Sequence, residues 1–303
     1  MPSALLAVAT DEKAKPHEEG CLSFAGDVVR LACHGEPEDA PMTDPIDLDR
    51  LSRILTEAGT QALGFFDTLA DRAIEAKAPG DLVSDADRAV EATLRHLLAR
   101  DFPGDGILGE EMGGTPKGRF WAVDPIDGTA NFLSGLPFWT ISVGLMDEGR
   151  PIAGGIIAPA LGLMAVGNAA GPLRETGLSA GSRAAMPGCI GLGRNPRWPV
   201  ADRHAVEAAC ETAGLAPRVL GSCALALMLV ATGRLAGYVE ARVGGLWDCA
   251  GGLALCRASG LPTAFRAHAD GTVDLVAGEV FGLVEGRPWA ADLVPGERQT
   301  FQA

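Results

Sequence analysis

The chain has no Cys-x-x-Cys pair, no excess of positive charge, and no apolar run approaching the ~18 residues that a membrane helix needs. Each absence excludes a class. The seven cysteines (Cys21, Cys33, Cys189, Cys210, Cys223, Cys249 and Cys256) form an odd, dispersed set. Such a set reads as reduced thiols of a cytoplasmic enzyme rather than as a disulfide framework. A formal net charge of -14 argues against sequence-independent binding to nucleic acid or to anionic membrane surfaces. An anionic small molecule remains acceptable where metal ions intervene. The longest apolar run, CALALMLVATG from Cys223, reads as a buried helix. ALLAVA near the N-terminus has no basic stretch before it, so no signal peptide is expected. The five histidines show no metal-ligand spacing, and no Walker-type lysine loop is present.

What is there is a globular composition, 47% hydrophobic and 21% charged over 303 residues. Residues 1–41 are polar, acidic and proline-rich without periodicity, and are expected to be a poorly ordered extension, with Met42 an alternative start. Residues 42–180 are expected to form an α+β half. Leu51, Ile54, Leu55, Ala58, Ala62, Leu63, Phe66 and Leu69 recur at helical spacing, fading near Lys77. APGD then reads as a turn, and a second helix opens at Ser84 and ends at DFPGDG. The runs RFWAVD, WTISVGLMD, PIAGGIIAPA and LMAVGN read as strands of a largely antiparallel sheet. Residues 181–303 alternate helices and a strand, GYVEA, and suggest an α/β half.

Two short patterns fail on context. GDGILG, Gly104 to Gly109, fits the dinucleotide-binding spacing but follows a helix end rather than a strand, so it reads as a glycine-rich turn. GLSAG, Gly177 to Gly181, fits a nucleophile elbow around Ser179 but has no apolar strand before it, and reads as a loop.

The informative stretch is WAVDPIDGTANF, Trp121 to Phe132. Asp124 ends a buried-looking apolar run and Asp127 follows three residues later. In a continuing strand residues three apart face opposite ways. Pro125 cannot donate to a ladder, so the chain is expected to turn there and bring both carboxylates to one side. Carboxylates held that close repel unless one is protonated or both bind a cation. All-oxygen ligands suit Mg²⁺ or Mn²⁺. Gly128 and Thr129 open a short helical or turn segment whose N–H groups would face an anion. Metal on one side and amides on the other make a phosphate site. The spacing does not fit an EF-hand loop or a phosphoaspartate phosphatase.

Further acids lie in LGEEMGG (Glu110, Glu111), LWDCAGG (Asp248) and DLVSDADRAVE (Asp87), where the helix-start positions of Asp87 and Asp248 also suit capping. Together with GLPFWTISVGL and LGSCALALMLVATGRLAGYVEARVGGLWD, these segments resemble the inositol monophosphatase family of metal-dependent sugar phosphatases, from about Asp44 to the C-terminal region. The resemblance implies a layered αβαβα sandwich and Mg²⁺-dependent hydrolysis of inositol 1-phosphate or a similar polyol phosphate. By resemblance, Glu110, Asp124 and the carbonyl of Ile126 hold one metal, Asp124, Asp127 and Asp248 a second, and Glu110 touches a third. Thr129 and Asp87 would orient or deprotonate the attacking water, and Lys77 would support the water network. Phosphate would rest on the amides of Gly128 and Thr129, with Asp248 also at the substrate. The alcohol half would meet Gly221, Ser222, Cys223 and Glu240. Cys223 stands where the family often has alanine, and Glu240 lies one residue farther from the Trp-Asp pair than in the animal enzymes. The resemblance also implies histidinol phosphate as the alternative substrate, a homodimer, and, as a role of another class, protein binding in a transcription antitermination complex.

Residues 1–41 lack a periodic apolar face to bury. A chain beginning at Met42 is therefore expected to match the full chain in melting temperature and turnover. A fall of several degrees on truncation would make the extension part of the fold.

Overall fold

The computed structural model describes residues 46–68, 74–78, 81–115, 117–169, 171–177 and 188–295, with backbone alone over 74–78 and 81–84. The expected extension 1–41, most of GLSAG and the expected junction near residue 180 lie outside them.

Helix α1 (Leu48–Phe66) opens on Asp47, whose side chain accepts the N–H groups of Asp49 and Arg50. Its buried face is the periodic set Leu51, Ile54, Leu55, Ala58 and Ala62. The helix stops at Phe66, earlier than its spacing suggests. Ile74–Ala78 (β1) pairs antiparallel with Asp81–Ser84 (β2), so IEAKA is strand and not helix. Strand pairing overrides the helix propensity of Ala, Glu and Lys there. Helix α2 (Asp85–Asp101) then begins directly after Ser84 and buries Val90, Leu94, Leu97 and Leu98.

Six strands follow as one sheet in the order β3 to β8: Gly106–Gly109, Phe120–Asp127, Thr140–Asp147, Arg150–Ala158, Leu163–Asn168 and Arg174–Thr176. Only β3 and β4 run parallel, and the four later pairings are antiparallel, as the short connections suggest. GDGILG supplies β3 after a helix, a context unsuited to a dinucleotide loop. A five-residue helix, α3 (Thr129–Leu133), separates β4 from β5.

The second sheet has the order β10-β9-β11-β13-β12, built from Cys189–Leu192 (β9), Ala216–Arg218 (β10), Gly237–Val243 (β11), Thr263–Ala267 (β12) and Val273–Gly278 (β13). Helix α4 (Val200–Thr212) covers its outer face, where Val206 and Cys210 pack with Ile190, Val239 and Val276. Helices α5 (Cys223–Ala231) and α6 (Leu246–Ala258) lie between the two sheets. The large sheet is two-faced. Phe120, Ala122 and Met146 join the α5–α6 core, whereas Trp121, Val123 and Leu145 join the α1–α2 core. The result is the expected αβαβα sandwich.

Helix α6 rests on the large sheet with almost nothing between the backbones. A Cβ on Gly144 of β5 would stand 2.3 Å from Gly251 N, and one on Gly154 of β6 would stand 2.6 Å from Gly251 O. A Cβ on Gly251 itself would meet Ser142 Oγ at 2.7 Å and Val143 O at 2.8 Å. Gly251→Ala should therefore lift the helix and destabilise the fold by about 1–3 kcal/mol, as overpacking does. Urea unfolding measures this, and an unchanged midpoint would mean that the contact is not close-packed.

Candidate active site

The two aspartates of DPIDGT reach one side by a different route from the expected turn. Strand β4 continues through Pro125 to Asp127, fully buried, but its register slips: Asp124 pairs with Ser142 and Asp127 with Thr140. Three steps on β4 thus oppose two on β5, which is a bulge. The extra residue reverses the alternation, so Asp127 returns to the face that Asp124 occupies. Proline's missing donor is tolerated at a bulge, where the ladder is already interrupted.

Asp127 is held by helix α5. Its Oδ2 accepts from Ser222 Oγ at 2.5 Å, from the backbone N–H of Ala224 at 2.6 Å, and from Thr140 Oγ1 at 3.5 Å. Ser222 caps α5 as well, accepting the N–H of Leu225 at 3.1 Å, so its hydroxyl is committed to the framework. Asp248, the third residue of α6, accepts the N–H of Gly245 at 2.7 Å, which fulfils the capping expectation. Asp124 Oδ1 accepts the N–H of Ile126 at 3.0 Å, while its buried Oδ2 has no hydrogen-bond partner.

One oxygen from each of Asp124, Asp127 and Asp248 lies within 4.8 Å of the others. Burial, together with Glu110, the other two aspartates and Asp87, drives the Asp124 carboxyl well above the usual range. Burial, Glu110 and Asp127 do the same to Asp248. Burial raises Asp127 to about 6, against the lowering effect of its donors. A buried carboxylate oxygen without a donor, inside a ring of like charges, is a chemical fit for a hard divalent cation.

Glu110 follows β3, and its loop is fixed from α2. Glu91, fully buried, accepts the N–H groups of Glu111 at 2.7 Å and Met112 at 3.0 Å and pairs with Arg95 at 2.7 Å. Arg95 in turn donates to the carbonyl of Gly113. A Cβ on Gly109 would overlap Glu91 Oε1 at 2.0 Å, so glycine is required for this approach. Asp87 lies buried in the first turn of α2, and its charge reaches Asp124. Thr129 Oγ1 donates to the carbonyl of Ile126 at 2.9 Å. Lys77 falls in β1, and its side chain lies outside the described residues.

Glu110, Asp127 and Asp248 face a cavity of about 270 Å³ bounded by Gly128, Thr129 and Gly221. Gly128 takes a φ of 90°, and a Cβ there would crowd Phe138 O at 3.0 Å and Gly221 O at 3.1 Å. Asn131 ties these loops together by donating to the carbonyls of Phe138 at 2.7 Å and Leu220 at 2.9 Å. On the far wall Glu240 accepts from Asn195 Nδ2 at 2.9 Å and from the Tyr238 hydroxyl. Burial raises the Glu240 carboxyl, opposed by those two donors. Cys223 borders the cavity with its thiol pushed up by burial, and so stays protonated. Glu91, Asn131 and Asn195 were not singled out from sequence. Asn131 lies in the short segment GTANF and Asn195 precedes a proline in GRNPRW, and only long-range partners reveal their use.

A profile of the Inositol monophosphatase family matches residues 48–299. An inositol-1-monophosphatase of Rhizobium meliloti (strain 1021) is 33% identical over 226 residues, 70% of this chain and 83% of that protein. A histidinol-phosphatase of Mycobacterium tuberculosis (strain ATCC 25618 / H37Rv) is 53% identical over 93 residues, 30% of this chain and 36% of that protein. The solved structure of extragenic suppressor protein SuhB from Bartonella henselae has a TM-score of 0.67 at 24% identity. It covers 78% of this chain and 95% of that one, a likeness of fold.

The raised carboxyls set a pH dependence for metal-free protein. A group that binds its proton more tightly when folded stabilises the fold below its unfolded value, near 3.8, and loses that contribution as pH rises through its folded value, about 6 for Asp127. In chelator the melting temperature should therefore fall between pH 5 and pH 8, and a divalent cation should abolish the fall by binding the folded state. A metal-free melting temperature flat across that range would contradict the clustering.

Proposed function

The chain belongs to the inositol monophosphatase family, and from that premise we propose that it is a Mg²⁺-dependent phosphomonoesterase acting on inositol 1-phosphate or a similar polyol phosphate. The family's enzymes are metal-dependent phosphatases of small phosphate esters. The observation that carries the reading is the cluster of Asp124, Asp127 and Asp248, the first two buried, with one Asp124 oxygen left without a donor and Asp127 and Asp248 bordering a cavity.

Asp124, Asp127, Asp248, Glu110 and the carbonyl of Ile126 would hold the cations. Bound there, divalent ions would neutralise phosphate oxygens, activate water and stabilise the leaving alkoxide. The chain's own groups do the rest. Asp127 is kept in place by Ser222 and the N–H of Ala224, which restrict it to one orientation. Thr129, donating to Ile126, retains acceptor lone pairs for a water proton, and Asp87 is the neighbouring base. The first N–H groups of α3 suit the phosphate. Glu240 and the rim at Gly221 and Cys223 would meet the alcohol half. Lys77 would support the water network. A homodimer and a cytoplasmic setting belong to the same reading.

Histidinol phosphate is the second substrate reading, favoured by the high identity of the shorter matching segment to a histidinol-phosphatase. A protein-binding role in antitermination is less favoured, because the full set of acids is retained.

Chelation should abolish phosphate release and Mg²⁺ restore it. Asp127→Asn should fold, since an amide oxygen still accepts from Ser222 and Ala224, yet lose most turnover. Wild-type rates in excess chelator would sink the reading. Glu240→Gln divides the substrates. It should cost inositol 1-phosphate a modest factor, because acceptor capacity survives. It should cost a cationic substrate about 2 kcal/mol or more, over tenfold in rate. A preference for histidinol phosphate that this variant abolishes would favour the second reading.

A further inference from the structure

A second strand bulge borders the cavity, in the other sheet. On β11 the three steps from Glu240 to Val243 oppose two on β13, from Leu275 to Val273. Tyr238 packs in the core between the sheets, while Val239 and Ala241 pack in the core under α4. Simple alternation would put Arg242 on the inner side and Val243 on the outer. The extra residue reverses this. Val243 joins the inner core and borders the cavity, and the Arg242 guanidinium reaches Asp270 at 2.6 Å, an exposed pair. Gly244 and Gly245 follow, and the N–H of Gly245 orients the Asp248 carboxylate. The bulge thus lies between Glu240 and the turn that serves Asp248.

Such a bulge needs support. β11 is the central strand of its sheet, whereas bulges concentrate at edges. Arg242 also takes a φ of 60°, a left-handed backbone unfavourable for an arginine. The support comes from Asp274 of β13, which is 1% exposed. Its Oδ1 accepts the N–H of Arg242 at 2.9 Å, and Arg242 has no partner in the ladder. Its Oδ2 takes Arg266 Nη2 at 2.7 Å and His268 Nε2 at 2.8 Å. The obvious alternative use of Asp274 is as a counter-ion to Arg266 and His268. That use occupies one oxygen, and the other is committed to the backbone of the bulge.

We propose that Asp274 is a positioning residue for the active site, holding the Arg242 bulge so that Glu240 and the Gly245 donor of Asp248 meet the same cavity. This rests on the phosphatase reading for the roles of Glu240 and Asp248. Helix α6 has its own seat on the large sheet, through Gly251. When the bulge yields, α6 therefore stays, and what moves is the strand carrying Glu240 and the N–H that orients the Asp248 side chain.

Three variants test it. Asp274→Ala should raise KM for inositol 1-phosphate and weaken Mg²⁺ binding by calorimetry, each about tenfold, the scale on which groups supporting a metal site act. The kcat at saturation should change less. Asp274→Asn keeps an acceptor for the Arg242 N–H, and should keep both constants near wild type despite a lower melting temperature. Arg242→Gly, which takes a positive φ freely, should restore both constants to the alanine variant. An Asp274→Ala protein that melts lower yet keeps wild-type KM and Mg²⁺ affinity overturns the proposal. So does an asparagine variant as impaired as the alanine one, because the effect would then follow the charges of Arg266 and His268 and not the bulge. Should the alanine variant fail to fold, Asp274→Thr, a residue suited to a strand, takes its place in the same comparison. Should no ester be turned over with any divalent cation, the phosphatase reading fails, and the Mg²⁺ affinities of wild type and variants decide this proposal alone.

Discussion

Like charges crowded against one another govern this molecule. Asp124 and Asp127 are buried on one strand, Asp248 is brought to them on α6, and the charges of Asp127 and Asp248 raise the proton affinity of Asp124, as Asp127 does that of Asp248. Such an arrangement is tolerable only if protons or cations compensate it. The surrounding architecture serves to enforce it. The bulge in β4 sets the parity, α5 contributes donors to Asp127, α6 delivers Asp248, and the Glu91–Arg95 pair fixes the loop of Glu110.

These parts divide according to how locally they are determined. The motif DPIDGT was legible because its chemistry is written in adjacent residues, and Asp248 because it begins an apolar helix. The means of bringing Asp124 and Asp127 together was not legible. A proline between two acids reads as a turn, whereas the strand absorbs it in a bulge whose existence depends on pairing with β5. The early stop of α1 at Phe66 has the same origin, because the helix-favouring segment after it pairs with β2 instead. In the C-terminal sheet, β9, β10, β12 and β13 carry little local signal. They are short or rich in alanine and glycine, and become strands through neighbours distant in sequence.

The support of the site followed the same division. Ser222, expected from the sequence at the substrate, lines the cavity, and its hydroxyl also donates to Asp127 while capping α5. Asn131 and Asn195 carry no charge and sit in turn-forming stretches, so sequence offers them only local roles. Their amides bridge segments dozens of residues away, Leu220 in one case and Glu240 in the other. Polar groups of this kind specify the relative position of loops at little cost, because their amide donors are matched.

The glycine contact between α6 and the large sheet has a consequence for how the protein can change over generations. Most elements in a core are separated by side chains, and exchanging leucine for valine shifts the spacing between them. Here Gly144, Gly154 and Gly251 put main chain against main chain. The separation of Asp248 from the β4 aspartates is therefore set by atoms that every residue shares. The layers around it can drift in side-chain volume, as lineages diverge, without retuning the distance on which the carboxylates depend.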